Sequence, residues 1–227
     1  MRDFWRRFAR NKGAVVGLVI LLLVIVLAMA APLIFPGSPW DMVGAPFMPP
    51  GEMGLLLGSD SLGRDVAAGI AHGARVSLLV GAVSTVAALA LGVSLGALAG
   101  YLGGVVDDLV MRFTEFFQTI PSFVLAILLV AIFTPTIGSV VFAIAVVSWP
   151  PVARVVRAEF LSLRSREFVQ AAEVIGKSRL SIVVGEILPN ALSPIIVLSS
   201  LMVATAILLE SALSFLGLGD PNLMTWG

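Results

Sequence analysis

Between Ala14 and Phe35 the chain carries no charged residue, and the same holds for 76–106, 116–153 and 187–209. A helix needs about 20 apolar residues to cross the ~30 Å hydrocarbon core of a bilayer, and these runs are that long. Few folds accept such a pattern, because inside lipid every backbone polar group must be satisfied within the segment or by a closed barrel. The expectation is an all-α, polytopic transmembrane helix bundle. Composition agrees: 59% of residues are hydrophobic and 12% charged, with mean hydropathy +1.05. A soluble domain is about half apolar and a quarter charged.

The run 116–153 is too long for one crossing. Thr134-Pro135-Thr136-Ile137-Gly138 breaks it, since proline and glycine punctuate helices. Five spans are therefore predicted: Ala14–Phe35, Val76–Val106, Leu109–Phe133, Ser139–Ala153 and Ile187–Leu209. The fourth ends at Trp149-Pro150-Pro151. Around them lie an N-terminal segment (1–13), an external loop (36–75) and a transmembrane core (76–227) with an inner loop at 154–186.

Lys and Arg set the orientation of such a chain. Arg2, Arg6, Arg7, Arg10 and Lys12 precede the first span, and Arg154, Arg157, Arg164, Arg166, Lys177 and Arg179 fill the inner loop; Arg64 and Arg75 alone fall on the other side. This places the N-terminus in the cytoplasm. Ala28-Met29-Ala30 resembles a signal-peptide cleavage site, but an h-region is usually 7–15 residues. The first apolar run is longer, so it reads as an uncleaved anchor. Phe4, Trp5 and Phe8 among the arginines suggest an amphipathic stretch on the inner surface.

Several chemistries are excluded outright. The chain has no Cys and one His, His72, so thiol nucleophiles, disulfides and paired-histidine metal motifs cannot occur. No metal or catalytic site is expected, and His72 reads as a surface histidine. Gly176-Lys177-Ser178 matches the end of a phosphate-binding loop, but Ala171 stands where its first glycine belongs, so no nucleotide site is expected here.

Three segments carry more information. Ser84, Ala88, Gly92, Gly96 and Gly100 recur every fourth position, giving one helix face of nearly bare backbone for close packing. In the external loop, Asp60, Gly63, Arg64 and Asp65 read as a capped turn before a short helix, or as a docking surface for an external partner. In the inner loop, Phe168, Ala171, Ala172 and Ile175 fall at i, i+3, i+4 and i+7, which is one apolar helical stripe. Ser165 is placed to N-cap that helix, Glu167 lies in its first turn, and Gly176 before Lys177 reads as its stop. Arg166, Glu167 and Gln170 flank the stripe as rim contacts. Spacing alone leaves open whether the stripe packs on its own bundle or fits a partner's groove.

At this loop the sequence resembles the inner-membrane permease subunits of binding-protein-dependent ABC importers, whose signature is E-A-A-x3-G, nine residues, then I-x-L-P. In that register Ala171, Ala172, Gly176 and Leu188-Pro189 match, while Gln170 in the glutamate position and Glu186 in the isoleucine position depart. Gly58-Ser59-Asp60 to Gly63-Arg64-Asp65 with Gly73-Ala74-Arg75, the run Leu188 to Pro194, and Glu210 to Gly219 are similar to the dipeptide, oligopeptide and nickel branch, in its second, C-type permease.

The resemblance implies half of a translocation pore, probed from outside by a substrate-binding protein and completed by a second homologous permease. It also implies one or two cytoplasmic ATPases that bind the ATP and Mg, with no cofactor on this chain. The helix Ser165–Gly176 becomes the coupling helix that enters an ATPase groove. Ala171, Ala172 and Gly176 would then be small so the helix can seat, and Ala172→Arg is expected to stop transport without affecting insertion. Six spans are implied, so a sixth would lie beyond Gly227. Di- or oligopeptides are the expected substrate. Nickel and glutathione are same-family alternatives, and an ion-gradient transporter or channel is the competing class. That class usually places ionisable residues at mid-membrane, whereas Arg112, Glu115 and Glu210 lie near span ends.

Overall fold

The computed structural model describes Arg6 and residues 8–227, so the Phe4-Trp5 part of the amphipathic stretch lies outside the described residues. The long elements are helices α1 (Lys12–Ile34), α2 (Val66–Leu102), α3 (Gly104–Thr119), α4 (Ser122–Ile132), α5 (Ile137–Leu163), α6 (Glu167–Val174), α7 (Arg179–Ile182) and α8 (Leu188–Phe215). A π-helical turn, Val183–Ile187, joins α7 to α8. Pro189 explains it: proline has no N–H to donate and its ring crowds the carbonyl four residues back, so the backbone widens there. By length and composition, α1, α2, α5 and the continuous Arg179–Phe215 segment each suffice to cross a membrane, with α3 and α4 together as a bent fifth.

Two compact units divide the chain, 1–79 with 221–226, and 80–220 with Gly227. In the first, Asn11 N-caps α1 through its Oδ1, which accepts the Ala14 N–H at 3.2 Å. α2 begins at Val66, inside the span of chain read as loop up to residue 75. Asp65 starts it there, accepting the N–H groups of Ala67 (2.8 Å) and Ala68 (3.4 Å). The helix that follows the capped turn is thus not short: it runs 37 residues.

The second unit holds the main core, built around Trp149, Val152, Ala153, Val156 and Phe160 of α5. α5 does not stop at Pro150-Pro151 but continues to Leu163. Two prolines remove ladder bonds, yet Val152, Ala153, Val156 and Phe160 beyond them are fully buried. Close packing against neighbouring helices, which drives helix association in lipid, holds these side chains and carries the helix past the break. Trp149 is held in place by Phe113 (stacked, 5.7 Å) and Phe117 (edge-on, 5.5 Å) of α3.

α2 lies along α5 in parallel. Gly92 faces Trp149 and Val152, Gly96 faces Ala153 and Val156, and Gly100 faces Arg157 and Phe160. A Cβ at Gly96 would fall 2.5 Å from the carbonyl oxygen of Ala153, and one at Gly100 2.6 Å from Phe160 Cβ. Ser84 and Ala88 on the same face are fully buried. Gly81 extends the face, where a Cβ would meet Ile207 of α8 at 2.6 Å. Two parallel helices need a return crossing between them, and α3–α4 supplies it. That crossing is not the straight span Leu109–Phe133: α3 and α4 meet at 84°. Proline disfavours the helical region for the residue before it, and Ile120 before Pro121 is extended (φ −96°, ψ 130°).

Candidate functional site: an exposed helix edge and a hollow at the broken span

α6 is the first of two places where the second unit offers chemistry outward. It starts one residue later than the spacing suggested. Arg166, not Ser165, is the N-cap residue, and it carries no side-chain cap bond; the Ser165 hydroxyl instead donates to the Ser162 carbonyl at 3.2 Å. The stop is at Gly176, in the left-handed region (φ 84°). Lys177 N–H reaches Ala172 O (3.1 Å) and Gly176 N–H reaches Glu173 O (2.9 Å), the paired 6→1 and 5→2 bonds of a Schellman ending. Lys177 is further held by Glu186 at 2.5 Å.

The apolar stripe does not stay on one face. Ala172 turns inward with Val169, both in the buried core. Phe168, Ala171, Val174 and Ile175 face out, Val174 at 88% and Ile175 at 78% exposure. One face is therefore anchored on the bundle, as one of the two readings of the spacing has it, and the other is uncovered. Ala172→Arg is accordingly no clean probe of an outer contact, since it would insert a charge into the core. Gln170 is engaged locally: its Nε2 donates to Ser165 O at 3.3 Å. Arg166, Glu167 and Phe168 border an open hollow of about 780 Å³ with Ser162 and Ser165.

The second place is the 84° bend. A cavity of about 470 Å³ opens there, walled by apolar side chains such as Phe117, Met202 and Leu209 and carrying Gln118, Ser122, Ser148 and Thr205. Interrupted backbone at membrane depth is tolerated where it lines a water-filled cavity or is buried in protein.

Sequence reasoning missed the ion pair that ties α3 to α5. Asp107 accepts both the Nε–H and an Nη2–H of Arg157, the latter at 2.5 Å. A bidentate guanidinium–carboxylate pair is among the stronger polar contacts. The partners are 50 residues apart, and no local pattern couples them. Arg164, next along, donates to the carbonyls of Gly100 (3.4 Å) and Tyr101 (3.2 Å) at the end of α2. Glu210, in the last two turns of α8, is buried and accepts from the Ser214 hydroxyl at 2.7 Å.

In the first unit Asp60, Gly63, Arg64 and Asp65 form one built turn. Asp60 Oδ1 accepts the N–H of Leu62 (2.8 Å) and Arg64 (2.9 Å), and its Oδ2 takes the Arg64 guanidinium (2.7 Å). That guanidinium sits over the Trp40 ring, 5.2 Å from its centroid. Gly63 has φ 79°, and a Cβ there would run into the Gly44 carbonyl. Ser59 donates to Ala45 O (2.5 Å) and accepts from Met48 N–H (2.8 Å). Burial raises the Asp60 pKa, but the Arg64 and Leu62 N–H groups and the Arg64 guanidinium outweigh it, so the carboxyl titrates below its usual value. His72 is not a bare surface group: its Nε2 lies 3.0 Å from Phe35 O at the end of α1, so Nε2 carries the proton and closes that helix end.

Residues 92–225, which hold both outward-facing places, match the family described as binding-protein-dependent transport system inner membrane component. The chain belongs to this family. Residues 1–50 match the N-terminal transmembrane domain of oligopeptide transport permease C. Among its relatives is the oligopeptide transport system permease protein OppC of Haemophilus influenzae, 42% identical over 231 residues, covering all of this chain and 74% of that protein. The dipeptide transport system permease protein DppC of Escherichia coli K12 is 42% identical over 234 residues, covering all of this chain and 78% of that one. The di/tripeptide permease DppC of Pseudomonas aeruginosa is 38% identical over 234 residues, with 77% of its length covered. A solved structure, titled as inward-facing conformations of the MetNI methionine ABC transporter, superposes with TM-score 0.59 over 67% of this chain and 76% of that one, at 18% identity. That likeness establishes the permease fold alone. As a member of the family, the chain is a transport membrane subunit.

Proposed function

We propose that this permease is one half of the pore of an ATP-driven importer of di- or oligopeptides. Its partners are a second permease, cytoplasmic ATPases and an external binding protein. The observation that carries the coupling part is the uncovered edge Phe168–Ala171–Val174–Ile175 on a helix whose other face, Val169 and Ala172, is locked into the core. A docked α6 would transmit partner movement directly to α5 and the start of α8, because it cannot slide on its own bundle. Switching access then requires two packings of the bundle, each favoured by a different nucleotide state of the ATPases. ATP and Mg belong to those subunits in this reading, and this chain supplies no catalytic group.

The cavity at the α3–α4 bend supports a path through this half of the pore. Its apolar wall with Gln118, Ser122, Ser148 and Thr205 suits a peptide, whose backbone offers donors and acceptors regardless of side chain. The peptide substrate follows the relatives' names. Orientation follows the charges: the α5–α7 end, with Arg154, Arg157, Arg164, Arg166, Lys177 and Arg179, faces the cytoplasm.

The test is uptake by the whole transporter reconstituted in liposomes with its binding protein. Phe168→Asp and Ala171→Arg should abolish peptide uptake and binding-protein-stimulated ATP hydrolysis while leaving the permease pair assembled. Unchanged stimulation in both variants would falsify the coupling role. Uptake of nickel or glutathione, but of no peptide, would reassign the substrate within the family.

A further inference from the structure

A second groove lies away from both the coupling edge and the bend. It runs between the last third of α2 and the α7–α8 junction, with a volume of about 360 Å³. Val93, Ala97, Leu98 and Val183 make its walls apolar along their length, and Tyr101 and Arg179 stand with them in its lining. Leu180, beside Arg179, is 74% exposed.

Lys177 is paired with Glu186, whereas the Arg179 guanidinium, among the described residues, makes no ion pair or hydrogen bond; only its backbone carbonyl is engaged, by the Val183 N–H. Arg164 adds a second guanidinium at the Tyr101 backbone, 3.2 Å from its carbonyl. The groove is therefore amphiphilic: an aliphatic lining along α2 and the α7–α8 junction with Tyr101 and the Arg179 guanidinium as its hydrogen-bonding, cationic members. A peptide or a soluble anion would use those polar members and leave the aliphatic lining dry and empty. A neutral lipid would use the aliphatic lining and leave Arg179 without a counter-charge. Basic pockets between membrane helices near the surface are suited to acidic lipid headgroups, and tyrosine sits naturally at that depth.

We propose that this groove is a binding site for an anionic phospholipid, with one acyl chain along Val93, Ala97 and Leu98 and the phosphate on Arg179 beside Tyr101. The inference needs only that the chain spans a membrane, so it stands or falls apart from the peptide reading. The site gives α2 and the start of α8 a shared ligand next to the Gly100–Phe160 contact and α6.

The transporter is purified from its own membrane with all accompanying subunits, then exchanged into nanodiscs holding phosphatidylglycerol with a photoactivatable acyl chain in a phosphatidylcholine background. The expected result is lipid label on the 93–102 segment, reduced at least fivefold in Arg179→Gln, retained in Arg179→Lys and lost in Ala97→Phe, which fills the groove. Assembly of the subunits serves as the folding control for each variant. Equal labelling from phosphatidylcholine and phosphatidylglycerol, or label unaffected by Arg179→Gln, overturns the site. So does a photoreactive residue at Leu98 that crosslinks to a neighbouring polypeptide instead of lipid, which would make the groove a subunit contact.

Discussion

Single residues in this chain do their work by satisfying one another. Asp60 holds two backbone N–H groups and one guanidinium, and its depressed pKa ties the turn 58–65 to pH. The sign follows from linkage: a carboxyl whose folded pKa is below its unfolded value near 3.9 stabilises fully above that value and stops doing so as pH falls through the folded pKa. Amide exchange at Leu62 and Arg64 should thus stay slow from neutral pH to about pH 4 and, after correction for intrinsic rates, accelerate below it. Asp60→Asn should bring the faster exchange to neutral pH. The Asp107–Arg157 pair carries a different expectation. Asp107→Ala should lower the unfolding free energy by roughly 1.5–3 kcal/mol, as for hydrogen bonds to charged groups. Arg157→Leu in the same background should recover part of that loss, because no stranded guanidinium remains. Thermal melts of the four cycle members in one detergent give the coupling energy, and a value near zero would remove the pair from any structural role.

At the scale of elements, the close α2–α5 contact and the two-sided α6 decide how the bundle tolerates change. Gly96 has Ala153 and Val156 against it, so Gly96→Val should cost about 1–3 kcal/mol by overpacking. Gly69, with nothing within 4 Å, should accept Ala with little effect on stability. Similar melts for both would mean that the two helices are not held in this register. For α6, the inner and outer faces should separate cleanly. Ala172→Arg should reduce the amount of assembled protein, whereas Ala171→Arg should leave assembly intact and remove ATPase stimulation. Their spacing in sequence is one residue, yet the first points into the core and the second away from it. The helical period was legible in the sequence, but the face that meets the bundle was not. It depends on Ile182, Ile187 and Phe160 arriving beside Val169 from distant positions. The same limit hid the course of α5. Pro150-Pro151 reads locally as an ending, while the pattern Trp149, Val152, Ala153, Val156, Phe160 that carries the helix onward shows only when burial is known.

For the molecule as a whole, the importer reading predicts composition. Purification from the native membrane under mild detergent should recover a second, similar permease and Walker-motif ATPases with this chain. Recovery of homo-oligomers alone from membranes active in uptake would favour the gradient-driven class instead.

Hydropathy and charge determined the helical membrane fold, the approximate spans and the small-residue face, because desolvation of the backbone and periodic burial act locally along a chain. They also located the segment around 165–176 and its glycine stop, since both rest on near-neighbour spacing. Tertiary structure alone decided that α3 and α4 meet at a sharp bend beside a cavity, that α6 is anchored by Val169 and Ala172, and that Asp107 reaches Arg157. Each of those depends on contacts between residues far apart in sequence, where the competition between burial, ladder bonds and charge pairing is settled by what the rest of the fold brings alongside.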